Sequence, residues 1–181
     1  ADLTAPGIAA LVSRDPVVVL PTAAIEQHGP HLPLSTDVVI GEGLVAAALG
    51  RLPEEVPVAV LPTLAVGTSD EHGSVGGTLT LSAEAVIDTL VDLGRSVFDA
   101  GVRRLVIANS HGGNRAAIDV AALRLRVELG MLVVKAHWFR YPRPEGVALP
   151  EEEWRHGLHG GAVETAMMLH LRPDAVRTSE L

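Results

Sequence analysis

The chain has 181 residues, 48% of them hydrophobic and 20% charged, which excludes a disordered chain and suits a single domain with a sizeable core. Fourteen Lys plus Arg against 22 Asp plus Glu give a net charge of −8 at pH 7 with no basic run, so no nucleic-acid partner is expected. No apolar stretch approaches the roughly 18 residues of a membrane span, and the absence of cysteine removes disulfide, thiolate-zinc and cysteine-nucleophile chemistry.

That composition, with no membrane segment and no basic stretch ahead of an apolar run, leads us to expect a cytoplasmic protein. Aromatics are only 3%, so the core must be built from Val, Leu, Ile and Ala. A first strand is predicted at Val17–Pro21, then a helix over Val38–Leu52 that follows Asp37 and stops before Pro53. A second strand is predicted at Val58–Leu64. Ser82 caps a helix to about Ala100, with Glu84 in its first turn, Val86, Leu90, Leu93 and Val97 on one face, and Gly101 as terminator. The strand Arg104–Asn109, a helix from Asn114 to Gly130 and the strand Leu132–His137 follow. Tyr141–Pro150, with three prolines, is read as an irregular loop, either an ordinary excursion or a lid or subunit contact. It leads through the acidic run Glu151–Glu153 to a last helix over Gly161–Leu171. The alternation of strand and helix predicts an α/β domain spanning 1–181, with a mostly parallel sheet between two helix layers.

In such sheets ligands bind beyond the carboxyl ends of the strands, and the polar clusters of this chain fall there. Glu26, His28, His31 and Asp37 follow the first strand, and Ser69-Asp70-Glu71-His72 follows the second. Ser110-His111-Gly112-Gly113-Asn114 follows the third, and His159-Gly160-Gly161 with Glu164 follows the fourth and its loop. Glu26 and His28, if extended, present both side chains on one face. Imidazole and carboxylate ligands suit Zn²⁺, Mn²⁺ or Fe²⁺. Taken singly, Asp37 also suits a helix N-cap, and a lone histidine a satisfied polar role. The glycine turn before Asn114 also fits a phosphate-binding loop at a helix start. Together, Glu26, His28, Asp37, His111 and Glu164 are five candidate ligands, one more than a closed tetrahedral zinc site takes, and they suit two metals sharing a carboxylate.

The stretch Glu26-Gln27-His28-Gly29-Pro30-His31-Leu32-Pro33-Leu34-Ser35-Thr36-Asp37 resembles the opening signature of the creatininase family. Glu71-His72 with Gly77-Thr78-Leu79-Thr80-Leu81 resembles its second block, Asn109-Ser110-His111-Gly112-Gly113-Asn114 its third, and His159-Gly160-Gly161-Ala162-Val163-Glu164-Thr165 its fourth. The resemblance implies a three-layer α/β/α sandwich carrying two divalent metal ions (Zn, Mn or Fe), and hydrolysis of an amide C–N bond through a metal-bridging hydroxide. Its substrates would be small cyclic or linear amides, or a precursor peptide of the mycofactocin kind. A non-catalytic metabolite-binding member is the reading from another class. By the same resemblance Asp37 bridges the metals, Glu26 and His111 bind one, and His28 binds the other. In creatininase a glutamate two residues after the third-block histidine completes the second metal; Gly113 stands there in this chain, and Glu164 or a water replaces it. Val75-Gly76 also departs from the family's aromatic-Pro pair, which points to a wider or more mobile pocket.

Glu164 is therefore expected to serve as ligand and catalytic residue, with His159 as the proton shuttle or as a hydrogen-bond partner of Glu164. His72, a further candidate catalytic residue, and Glu71 are expected on the substrate side, with Gly112, Gly113 and Asn114 completing the substrate-binding set and Asn114 orienting His111 or the substrate carbonyl. His31 is expected to brace the first loop, and His156 and His170 to stay outside the site. His137 could reach it from the last strand, and the aromatic residues flanking the loop could wall the pocket or join subunits. The resemblance further implies a homo-oligomer, a hexamer built of dimers, and a family fold whose C-terminal part extends beyond these residues.

Overall fold

The structure is a computed structural model and describes residues 3–181. Its four strands are β1 (Val17–Thr22), β2 (Val58–Val60), β3 (Arg104–Asn109) and β4 (Leu132–His137). They form one all-parallel sheet in the order β2-β1-β3-β4. The helices are α1 (Ala5–Val12), α2 (Thr36–Leu49), α3 (Ala83–Asp99), α4 (Arg115–Leu129), α5 (Glu151–His156) and α6 (Ala162–Leu171). No helix among the described residues is long and apolar enough to cross a membrane.

The α/β architecture is the expected one, with several shifted boundaries. β2 is shorter than the predicted Val58–Leu64: the Leu61 N–H still donates to the Val19 carbonyl, but Pro21 of β1 has no N–H to return to Leu61, and Leu64 donates to the Pro21 carbonyl where an unbroken register would use Thr63. The chain rejoins β1 only through the isolated bridge from Thr22 to Leu64. α2 begins at Thr36 behind the N-cap position Ser35, so Asp37 sits inside the first turn instead of capping it. The helix expected to open at Asn114 is preceded by a 3₁₀ turn over Gly112–Asn114 and starts at Arg115. Two short helices were not read from the sequence. In α1, the Thr4 hydroxyl accepts the Gly7 N–H at 3.3 Å and a proline stands in the first turn. α5 grows from the acidic run.

The two faces of the sheet are covered unequally. On one, Val18, Leu20, Leu105 and Ile107 pack under α3 and α4 through Val86, Leu90, Val97, Ile118, Ala121 and Leu125. Gly94 of α3 lets the two helices close, since a Cβ there would stand 2.5 Å from a Leu125 methyl. On the other, α2 lies over the sheet and packs against α6, with Ile40, Leu32, Met168 and Val176 as a smaller core. That cover is partial. Leu132 and Val134 of β4 remain about half exposed, and a cavity of about 400 Å³ opens between α2 and the sheet, walled chiefly by aliphatic side chains such as Val19, Leu44, Val45 and Val106. None of the candidate ligands lines it, so the polar site lies elsewhere.

Candidate metal centre

The chain leaves β1 toward β2 on one side and β3 toward β4 on the other. The strand order therefore reverses between β1 and β3, and a crevice opens beyond their carboxyl ends. The loop after β1 delivers Glu26 and His28 and is closed by the Glu26 N–H donating to the Leu34 carbonyl at 3.0 Å. Gly29 turns it with φ +74°, a left-handed conformation that glycine adopts freely. The first turn of α2 supplies Asp37, the end of β3 supplies His111, and the first turn of α6 supplies Glu164. All five side chains are buried, none more than 5% exposed. Elements far apart in sequence thus bring the five candidate ligands together.

Hydrogen bonds to the backbone fix how the two central imidazoles point. His111 Nε2 donates to the Thr68 carbonyl at 2.6 Å, which turns Nδ1 toward Glu26 Oε1 (3.1 Å) and Asp37 Oδ2 (3.2 Å). His28 Nδ1 donates to the Glu26 carbonyl at 3.1 Å, which turns Nε2 toward Asp37 Oδ1 (3.4 Å) and Glu164 Oε2 (3.9 Å). Asp37 therefore offers one oxygen to each histidine. A neutral imidazole lone pair facing a carboxylate is repulsive, so a proton or a cation belongs in each gap. Glu26 Oε2, His28 Nε2 and Asp37 Oδ2 are buried with no hydrogen-bond partner among the described residues. Such unsatisfied groups cost about 1–3 kcal/mol each, and a bound cation would remove that cost. The donor set fits a divalent transition ion.

The protonation equilibria show the same electrostatics. Burial works against a charged His111, but the Asp37 and Glu26 carboxylates outweigh it and hold its pKa up at about 10. Burial also opposes ionisation of Asp37, yet His111 and His28 keep its pKa below the ordinary value. Burial pushes Glu164 up to about 7, and its pull toward His28 and the Gly160 N–H only partly offsets this. The 2.6 Å bond from that N–H to Glu164 Oε2 holds the carboxylate over the start of α6.

His159 lies between two other imidazoles, its ring centroid 4.2 Å from His28 and 4.2 Å from His72. Its Nδ1 stands 3.5 Å from Glu26 Oε1, and burial together with the neighbouring His28 holds its pKa below the ordinary histidine value. Three triads, Glu26/Asp37/His111, His28/His159/Glu164 and Glu26/His72/His159, each bring one ligand atom per residue within 4.8 Å of the others. Glu71 sits at the exposed rim, with Oε1 3.9 Å from His111 Nε2.

The glycine turn and Asn114 both pack against the segment that begins at Thr68. Gly112 is open, but a Cβ on Gly113 would meet the Thr68 carbonyl oxygen at 2.3 Å, His111 Nε2 at 2.5 Å and Glu71 Oε1 at 2.7 Å. An acidic neighbour this close repels a phosphate, so the turn is better suited to pressing backbone against His111 than to cradling an anion. Asn114, expected among the substrate-binding residues and to orient His111 or the carbonyl, is buried beside Thr68, whose carbonyl holds His111. Its amide accepts from the Thr68 N–H (3.0 Å) and donates to the Ala23 carbonyl (3.0 Å) and Asn109 (3.3 Å), bracing two loops. His31 braces the first loop through Thr165 at 2.9 Å, and His156 and His170 stay exposed.

Sequence reasoning passed over Gln27 and Ser69. Gln27 Nε2 lies 3.0 Å from His72 Nδ1 and 3.1 Å from His159 Nε2, and its Oε1 accepts the Gly29 N–H at 3.1 Å. The Ser69 hydroxyl lies 3.3 Å from His111 Nε2. Gln27 stands between two candidate ligands, which was the available signal. Nothing in the chain marks Ser69 beyond its place beside Glu71 and His72.

The creatininase family profile, described as creatinine amidohydrolase, matches residues 1–181. The chain belongs to the creatininase family. Among curated creatininase-family relatives, the mycofactocin precursor peptide peptidase of Mycobacterium tuberculosis (strain H37Rv) is 38% identical over 174 residues, covering 93% of this chain and 63% of that protein. The creatinine amidohydrolase of Pseudomonas putida is 32% identical over 186 residues, covering 93% and 69%. A solved creatininase in its Mn form superposes with a TM-score of 0.83 at 30% identity, covering 99% of this chain and 74% of that one. The chain thus spans just under two thirds of the length of its peptidase relatives.

Proposed function

We propose that the protein is a metal-dependent amidohydrolase that cleaves the C–N bond of a small cyclic or linear amide. Two divalent ions would be held there, one by Glu26 and His111, the other by His28 and Glu164, with Asp37 shared. The observation that carries this reading is the pairing of Asp37 Oδ1 and Oδ2 with two histidines whose remaining nitrogens are already committed to backbone carbonyls. Bound ions supply Lewis acidity and lower the pKa of water from 15.7 toward about 7.

The side chains divide the remaining work. Thr68 and Glu26, through their carbonyls, hold the two imidazoles in one tautomer and orientation. Burial of the five ligands keeps bulk water away from them. His159, whose Nε2–H donates to the Gln27 carbonyl, presents a free Nδ1 that takes up a proton and passes it toward the leaving nitrogen, helped by a pKa below the ordinary value and a place between His28 and His72. Gln27 sets the positions of the His72 and His159 rings, and Glu71 and Gly112 border the substrate side. A homo-oligomer in the cytoplasm belongs to the same proposal.

A second reading is a peptidase acting on a mycofactocin-type precursor. It is favoured by 38% identity to the peptidase against 32% to creatinine amidohydrolase, and by Gly113 at the position where the family resemblance places a glutamate ligand in creatininase. Both readings use the same centre. Metal analysis of the purified chain, followed by a panel of formamides, lactams, creatinine and short peptides, tests them. We expect two equivalents of transition metal and turnover of one amide class. A chain that takes up no metal and turns over none of the panel overturns both.

A further inference from the structure

A second polar cavity, about 340 Å³, opens at the carboxyl end of β4 and is lined by Arg115, Asp119, Lys135, His137, Arg140 and Tyr141. None of these six is a candidate metal ligand. Asn109 separates the two places: its Nδ2 donates to the His111 carbonyl on one side and to His137 Nδ1, at 3.1 Å, on the other.

The cavity is positive in a chain of net charge −8. Three cations face one carboxylate, and that carboxylate, Asp119, is already ion-paired with Lys135. The Arg115 and Arg140 guanidiniums, both exposed, make no ion pair or hydrogen bond among the described residues. Arg115 is also the first residue of the 15-residue helix α4, where the helix dipole adds further positive potential and disfavours a cation. Two like-charged guanidiniums lining one cavity are stabilised by an anion, which their planar forks bind through paired N–H groups.

His137 supplies an independent sign. It is 9% exposed, and because its Nδ1 accepts from Asn109, its proton sits on Nε2. That N–H makes no hydrogen bond among the described residues and is open to the cavity's solvent, on a side chain that lines the cavity. Burial, opposed by Asp119 and reinforced by Arg115, Lys135 and Arg140, holds its pKa below the ordinary value, so it stays a neutral donor. Tyr141, largely exposed, also lines the cavity.

We propose that this cavity is an oxyanion-binding site, separate from the metal centre, that takes the phosphate or carboxylate group of a small molecule through Arg115, Arg140 and the His137 Nε2–H. The proposal stands apart from the hydrolase reading, since no step of that reaction uses these residues.

Inorganic phosphate and acetate are titrated separately into the full 181-residue chain labelled with ¹⁵N-histidine, following the His137 Nε2 resonance, with calorimetry in parallel. A saturable shift of that resonance with at least one anion is expected. The double variant Arg115→Gln/Arg140→Gln should weaken binding about tenfold or more, as lost charge-assisted hydrogen bonds require, with metal content unchanged. Tighter phosphate assigns a phosphorylated ligand, and tighter acetate a carboxylated one. The site is overturned if neither anion moves His137, or if the double variant binds as the parent does. Both arginines are exposed, so the variant should fold, and its circular dichroism and melting curve check this.

Discussion

Asp37 turns one carboxylate oxygen toward His28 and the other toward His111, so a change there acts on both halves of the centre at once. Asp37→Ala should abolish turnover and lower metal content, whereas His159→Ala should keep the metal and slow the reaction by about 10²–10⁴. Parallel metal analysis and steady-state kinetics on the two variants separate a ligand from a proton carrier. Loss of metal in His159→Ala would instead make His159 a ligand, as the triad with His28 and Glu164 allows. The same residues set a pH dependence. Without an ion, His111 (pKa about 10) carries a proton at neutral pH and Glu164 (about 7) carries part of one. An entering cation must displace both, so apparent metal affinity should rise from pH 6 to pH 8. Calorimetry in buffers of different ionisation enthalpy should register proton release on binding, and none would be seen if both groups were already deprotonated.

Among the elements, α3 was the most legible. Ser82 accepts the Ala85 N–H at 3.2 Å as its N-cap, and Val86, Leu90 and Val97 face the core as their spacing predicts. Ser82→Ala should cost about 0.5–2 kcal/mol, read as a lower urea midpoint with an unchanged slope. An unaltered midpoint would show the cap to be energetically idle. The C-terminal stop of α4 was equally plain, since Gly130 takes the left-handed conformation with φ +68°. β2 was harder to read, because its apolar run looks continuous until it is laid against β1, where Pro21 has no N–H to offer Leu61. The alternation of strand and helix predicted a helix layer on each face of the sheet. In β3, Leu105 and Ile107 are buried while Val106 stays partly exposed, because α2 covers only part of its side. Helix α1 was signalled by Thr4 and Pro6, but eight residues carry too little periodicity to stand out.

At the scale of the whole molecule, the centre is a concentration of buried charge that the fold must hold together. Glu26, Asp37 and Glu164 converge from three segments, and in the metal-free protein the His111 proton and a partly protonated Glu164 offset their charge, a role that bound cations would take over. A metal that binds only the native state stabilises it by mass action, by about 4 kcal/mol at a thousandfold excess over Kd. Zn²⁺ or Mn²⁺ should therefore raise the melting temperature of chelator-treated protein, and Asp37→Asn should remove most of that gain. An identical melting curve with and without metal would disconnect these carboxylates from any ion.

The sequence by itself determined the strand–helix alternation, the aliphatic core and which four loops carry imidazole and carboxylate, because each follows from local spacing, capping and turn chemistry. Family membership was also legible, since contiguous motifs such as Glu26–Asp37 survive as text. Only the tertiary structure decided which nitrogen of His28 and His111 faces the carboxylates, that Asn114 is a buried brace, and that Arg115, His137 and Arg140 share one cavity. Those outcomes depend on how distant segments meet in space: a hydrogen bond to a carbonyl 43 residues away, or a cation on α4 beside one after β4, leaves no trace in the order of residues along the chain.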